Sequence, residues 1–169
     1  MGFARIARPL LATAVVAATV TTLAPAASAS TERCIYSDDS RMKKTFPTPG
    51  TDTSFAINLC VIKRSDGKHY AYADVHWNNG GDSDTDDKRK FDRFNVTVRL
   101  ERNDVVKTFR LCDIRHAVNT QKSGIELCVT SVDASTANGG WTADGWAQYD
   151  LDRDGQGVKA WEWYGSPSV

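Results

Sequence analysis

The sequence predicts an all-β protein, an antiparallel β-sandwich or jelly-roll-like barrel of about seven or eight strands held by two disulfides. Three observations predict it. Apolar residues alternate with period two through most of the chain, while no long stretch keeps a helical period. Gly-, Asp- and Asn-containing turns separate these alternating runs. Four cysteines, Cys34, Cys60, Cys112 and Cys128, are spread along the part that carries the alternation.

The first residues are set apart from this pattern. Arg5 and Arg8 give a basic start, an apolar stretch runs from Pro9 to Leu23, and Ala27-Ser28-Ala29 supplies small residues for cleavage. Residues 1–29 are therefore expected to be a secretory signal peptide, leaving 30–169 as one β domain that is secreted to the extracellular space. No segment of the remainder is apolar enough to predict a membrane span. Losing Arg5 and Arg8 takes the basic count from 21 to 19 against 21 acidic residues, a net charge near −2. That balance gives no electrostatic reason to expect nucleic acid or an anionic membrane as partner.

The first hairpin is written in two alternating runs. Phe55, Ile57, Leu59 and Val61 precede the turn Ser65-Asp66-Gly67, and Ala71, Ala73, Val75 and Trp77 follow it. A three-residue loop with Gly67 left-handed pairs Arg64 with Lys68, and so sets Phe55 opposite Trp77 and Val61 opposite Ala71. The opposite face of the second strand then carries Tyr70, Tyr72, Asp74 and His76. In the second hairpin Phe94, Val96, Val98 and Leu100 lead to a two-residue turn at Asn103-Asp104. Pairing Arg102 with Val105 is expected to set Val98 against Phe109 and Val96 against Leu111. A connector with a helical turn at Ile114–Val118 leads to a strand over Ile125–Val132. The segments 37–53 and 78–90 are read as long loops.

An even number of cysteines in an exported chain reads as two disulfides, for which three connectivities exist. The local pairings Cys34–Cys60 and Cys112–Cys128 are favoured because each closes a modest loop. None of the spacings is the short C-x-x-C of a zinc or redox site.

The C-terminal run "YDLDRDGQGVKAWEW" resembles a calcium loop through Asp150, Asp152, Asp154 and Gly155. A calcium hand requires a bidentate glutamate six residues after its glycine and a helix on each side. The sixth residue is Trp161, Glu162 is one late, and the flanks alternate as strands. The hand is excluded, and no cofactor is expected; a weaker calcium site using Asp152, Asp154 and loop carbonyls remains as an alternative to a solvated turn. Asp82, Asp84 and Asp86 make a second such run, but Lys88, Arg89 and Lys90 follow at once and compensate it.

Closing this hairpin at Leu151–Val158 puts Asp150 opposite Lys159, Trp146 across from Trp163 and Gln148 across from Trp161. Trp146, Trp161 and Trp163 would then share one face, a platform able to stack on sugar rings or anchor a protein, unless the core covers them. Tyr70, Tyr72 and His76 are the second group of binding candidates. Asp74 and His76, two apart on one strand face, are the nearest approach to an acid–base pair. No nucleophile elbow and no H-E-x-x-H pattern accompanies them.

The "PAASAS" signal, the four spaced cysteines, "FNVTVRLERNDVV" and the ending "WEWYGSPSV" give the chain a resemblance to the small secreted β proteins of Streptomyces-type actinobacteria. That resemblance implies an accessory subunit of a secreted, toxin-like assembly, or an inhibitor. The expected function is a non-enzymatic protein-binding module, with another secreted or cell-surface protein as partner. A carbohydrate-binding module using the tryptophans, with polysaccharide as ligand, is the first alternative. A small secreted hydrolase is the second.

Overall fold

The computed structural model describes residues 29–81 and 89–169. The expected signal peptide, apart from its last residue, and the Asp82, Asp84 and Asp86 run lie outside the described residues. The rest forms two antiparallel sheets, as the alternation requires. Nine strands are present among the described residues, slightly more than expected.

The first sheet contains β1 (Thr31–Ile35), β2 (Lys43–Phe46), β3 (Thr53–Lys63), β4 (His69–Asn78) and β7 (Ser123–Val129). Its order is β1-β3-β4-β7, with β2 lying beside β1 along the same edge of β3. The segment expected to be a loop after Ser37 thus carries a fifth strand, which places Phe46 in the core. The second sheet is ordered β6-β5-β8-β9, from β5 (Phe91–Arg102), β6 (Val105–Asp113), β8 (Trp141–Leu151) and β9 (Lys159–Glu162). A short helix, α1 (Arg115–Thr120), carries the chain from β6 back to β7.

The β3–β4 hairpin has the expected register: Phe55 faces Trp77, Ile57 faces Val75 and Val61 faces Ala71. Gly67 is left-handed at φ 81°, and the Arg64 N–H donates to the Lys68 carbonyl at 2.8 Å. The inward rows of both sheets form one core. Phe46 is its aromatic hub, with its ring edge-on to those of Phe55, Phe91, Phe94, Tyr149 and Trp161.

Two expected registers are corrected. In the β5–β6 hairpin the turn is as read, with Asn103 and Asp104 both left-handed and Arg102 opposite Val105. A bulge then leaves Lys107 without an opposite residue, since Glu101 faces Val106 and Leu100 faces Thr108. Every later residue of β6 changes face. Val98 meets Arg110 and Val96 meets Cys112, so Phe109 and Leu111 point outward, 66% and 49% exposed.

The C-terminal hairpin differs by one residue from the expected pairing. Trp146 faces Glu162, Ala147 faces Trp161 and Tyr149 faces Lys159, while Asp150 pairs with Arg93 across β5. Trp161 and Trp163 are consequently buried in the core, and Trp146 alone points outward. The three-tryptophan face does not form. Gly145 is the physical reason: a Cβ there would lie 3.0 Å from the Trp163 ring, so its lack of a side chain makes the space Trp163 fills.

Both disulfides join the favoured partners. Cys34–Cys60 links directly opposed residues of β1 and β3, and Cys112–Cys128 ties β6 of one sheet to β7 of the other. The second bridge therefore closes the side of the sandwich where both sheets end.

Candidate functional site on the β4–β7 face

Burial of Ala71, Ala73, Val75 and Trp77 forces Tyr70, Tyr72, Asp74 and His76 onto the outer face of the first sheet. Cys128 must point inward to reach Cys112, which turns its neighbours on β7 the other way. Ile125, Leu127 and Val129 therefore stand beside His76, Asp74 and Tyr72 respectively. Ile125 is 62% exposed and Leu127 58%. A groove of about 460 Å³ opens at one end of this face, walled by Tyr70, Tyr72, Leu127, Val129 and Val132, with Arg64 at its rim.

The polar groups on this face are tied to one another. His76 Nε2 is 2.8 Å from Asp74 Oδ2, and the Asn58 amide donates to the same oxygen at 3.5 Å. Asn58 in turn accepts from the Ser37 N–H at 2.9 Å. The Tyr72 hydroxyl donates to Glu32, and burial together with that carboxylate raises its pKa, keeping the phenol protonated. Tyr72 is thus fixed as a donor with its ring facing the groove. The Asp74–His76 pair has Asn58 as its third polar neighbour, an amide that cannot serve as a nucleophile.

The backbone of β7 adds a second property. Thr130 donates to the Ala71 carbonyl at 2.9 Å, which fixes the phase of the β4–β7 ladder. Cys128, Glu126 and Gly124 therefore turn their peptide groups toward β4, whereas Val129, Leu127 and Ile125 turn theirs to the other side. Among the described residues no strand pairs with that side of β7. One strand thus presents apolar side chains and free peptide groups from the same residues.

The other sequence candidates fall elsewhere. Trp146 lies on the outer face of the second sheet, where the Arg99 guanidinium sits 4.9 Å over its ring and pairs with Asp144. Trp161 and Trp163 stack edge-on in the core and meet no ligand surface. Asp152 has Arg89 and Arg153 at 3.6 Å, and Asp154 has Lys159 at 3.7 Å and accepts from the Gln156 N–H at 2.8 Å. Each carboxylate of the proposed calcium tip is therefore met by a cation of the protein. Among the described residues the close group of metal-ligating types is Glu32, Cys34 and Cys60, whose two sulfurs are consumed by their disulfide.

Sequence reasoning names Tyr70, Tyr72 and His76 but not Ile125 and Leu127, the most exposed large apolar residues of this face. Their signal was Cys128: once it bonds Cys112 inside, its odd-numbered neighbours face out. No helix among the described residues is long and apolar enough to cross a membrane. No protein-family model, curated protein or solved structure matches the chain.

Proposed function

We propose that the protein is an exported, non-enzymatic binding module that holds another secreted or cell-surface protein on its β4–β7 face. The observation that carries this reading is the row Ile125, Leu127 and Val129, apolar and partly exposed on a strand whose outer edge pairs with no other strand among the described residues. An extended partner segment adds main-chain hydrogen bonds along such an edge and places alternate side chains beside the groove. Glu126 is exposed on the opposite side of the same strand and discourages indiscriminate pairing, so a partner strand with a cation there is favoured. Two disulfides suit an oxidising compartment. An accessory-subunit or inhibitor role fits a module of this kind.

The test is capture from culture supernatant of the producing organism on immobilised protein, with two variants. Wild type and Trp146→Ala should retain the same protein, and Leu127→Glu should lose it. Capture of nothing, or of a set unchanged by Leu127→Glu, overturns the reading.

Carbohydrate binding keeps one supporting observation, Trp146 half-exposed on an outer face beside Asp144 and Gln148. Retention on insoluble polysaccharide that vanishes in Trp146→Ala would favour it; retention that survives the change would sink it.

A further inference from the structure

His69, the first residue of β4, is wholly removed from solvent. Its imidazole lies flat on the indole of Trp141, with ring centroids 4.3 Å apart and planes 9° from parallel. Nδ1 is 3.4 Å from the Ser135 carbonyl, a long contact that suits a donor there. With the proton on Nδ1, Nε2 carries a buried lone pair, and it has no hydrogen-bond partner among the described residues. The ring is therefore built to be neutral. A proton on Nε2 would create a buried donor with no acceptor among the described residues, on a charged ring held out of water.

The same residues hold the connection from β7 to β8 at three points. The Asp133 N–H donates to the His69 carbonyl at 2.8 Å, the Ser135 carbonyl faces the His69 ring, and Trp141 Nε1 donates to the Ala137 carbonyl at 2.7 Å. That connection also supplies Thr130 and Val132 to the groove. Charges converge on the ring from each neighbouring element. Lys63 is its cross-strand neighbour on β3, Arg102 comes from the end of β5 with its guanidinium 5.7 Å from the Trp141 ring, and Asp133 comes from the connection itself. Two cations and one carboxylate leave protonation opposed by charge as well as by burial. Burial is the largest cause and outweighs the Ser135 carbonyl and Asp133, which favour the proton, so the pKa of His69 lies below the usual histidine value.

We propose that His69 is a proton-operated latch: uptake of a proton at Nε2 drives the ring toward water, frees Asp133 and Ser135, and opens the Val132 wall of the groove. The sign follows from linkage. A depressed histidine pKa in the closed state gives stability that is complete above the ordinary value of about 6.5 and is lost as pH falls through the closed-state value. The consequence for binding, release of the partner in mild acid, rests on the protein-binding reading above; the latch itself does not.

The test uses the protein alone. Hydrogen exchange at residues 130–138, corrected for the intrinsic effect of pH, is followed from pH 7.5 to 4.5 together with tryptophan fluorescence. Wild type should lose protection there below about pH 6.5 while β3 and β8 keep theirs. His69→Phe, which can still lie on Trp141 but cannot titrate, should abolish the transition, and His76→Gln and His116→Gln should retain it. A transition that persists in His69→Phe overturns the latch. Should that variant not fold, NMR titration of wild type decides: a His69 ring that gains its proton with no change in the amides of 130–138 also overturns it. Failure of the latch is read without any partner, whereas failure of the binding reading is read at pH 7.5 in the Leu127→Glu capture.

Discussion

Gly145 and Trp163 share one volume in the core: a Cβ on Gly145 would stand 3.0 Å from the indole of Trp163 and 2.6 Å from the Thr97 carbonyl. The Trp163 N–H also donates to the Gly145 carbonyl at 3.1 Å, so ring and backbone are fixed together. Replacing Gly145 by alanine forces either the ring or the β5–β8 ladder to move. Gly145→Ala is expected to destabilise the protein by about 1–3 kcal/mol, the range of overpacked cores. Urea denaturation with an unchanged midpoint would show that Trp163 can retreat without cost.

That glycine also explains why the C-terminal register was hidden while the first hairpin was legible. Between β3 and β4 the left-handed Gly67 closes one short loop, and the alternation on both sides agrees with it. Between β8 and β9 three left-handed residues, Arg153, Gly155 and Gly157, allow several closures, and apolar residues stand on both faces of the arms. The pairing of Trp163 with a residue lacking a side chain decides it, and this is a packing fact rather than a periodic one. In β6, alternation placed Phe109 and Leu111 inside, but Cys112 can reach Cys128 only from the inner face. Adjacent residues of a strand cannot both face inward, so the disulfide required the bulge at Lys107. The outer β4 candidates were legible because their buried neighbours alternate cleanly; the β7 row depended on that same disulfide.

The Cys112–Cys128 bridge spans a sequence separation of 16 and ties the two sheets where each ends. A loop of this size contributes about 3 kcal/mol when closed. Cys112→Ala/Cys128→Ala is therefore expected to lower unfolding stability by about that amount, and to raise hydrogen exchange first in β6 and β7. Uniform loss across all strands would argue that the bridge restrains only the unfolded chain.

Trp146 and Trp161 should separate cleanly by stability. Trp161→Ala removes a buried ring that touches Phe46 and Trp163, and is expected to cost about 3–5 kcal/mol. Trp146→Ala removes a half-exposed ring beneath Arg99 and should cost about 1 kcal/mol or less. Thermal or urea unfolding of the two variants checks the assignment, and similar losses for both would contradict the register of β9.

Glu101 gives the clearest carboxylate prediction. It is buried near the end of β5, and burial raises its pKa above the usual range although Arg99 lies 3.1 Å away; Asp144 and Asp104 push in the same direction as burial. A raised carboxyl favours the folded state most when protonated, below the unfolded value, and that contribution is lost as pH rises through the folded value. At pH 7.5 the ionised group is therefore a net burden. Glu101→Gln should raise the urea midpoint at pH 7.5, and the advantage should shrink as pH falls, with the two proteins converging near about pH 4. The opposite order at pH 7.5 would mean that the Arg99–Glu101 pair outweighs the desolvation of its carboxylate.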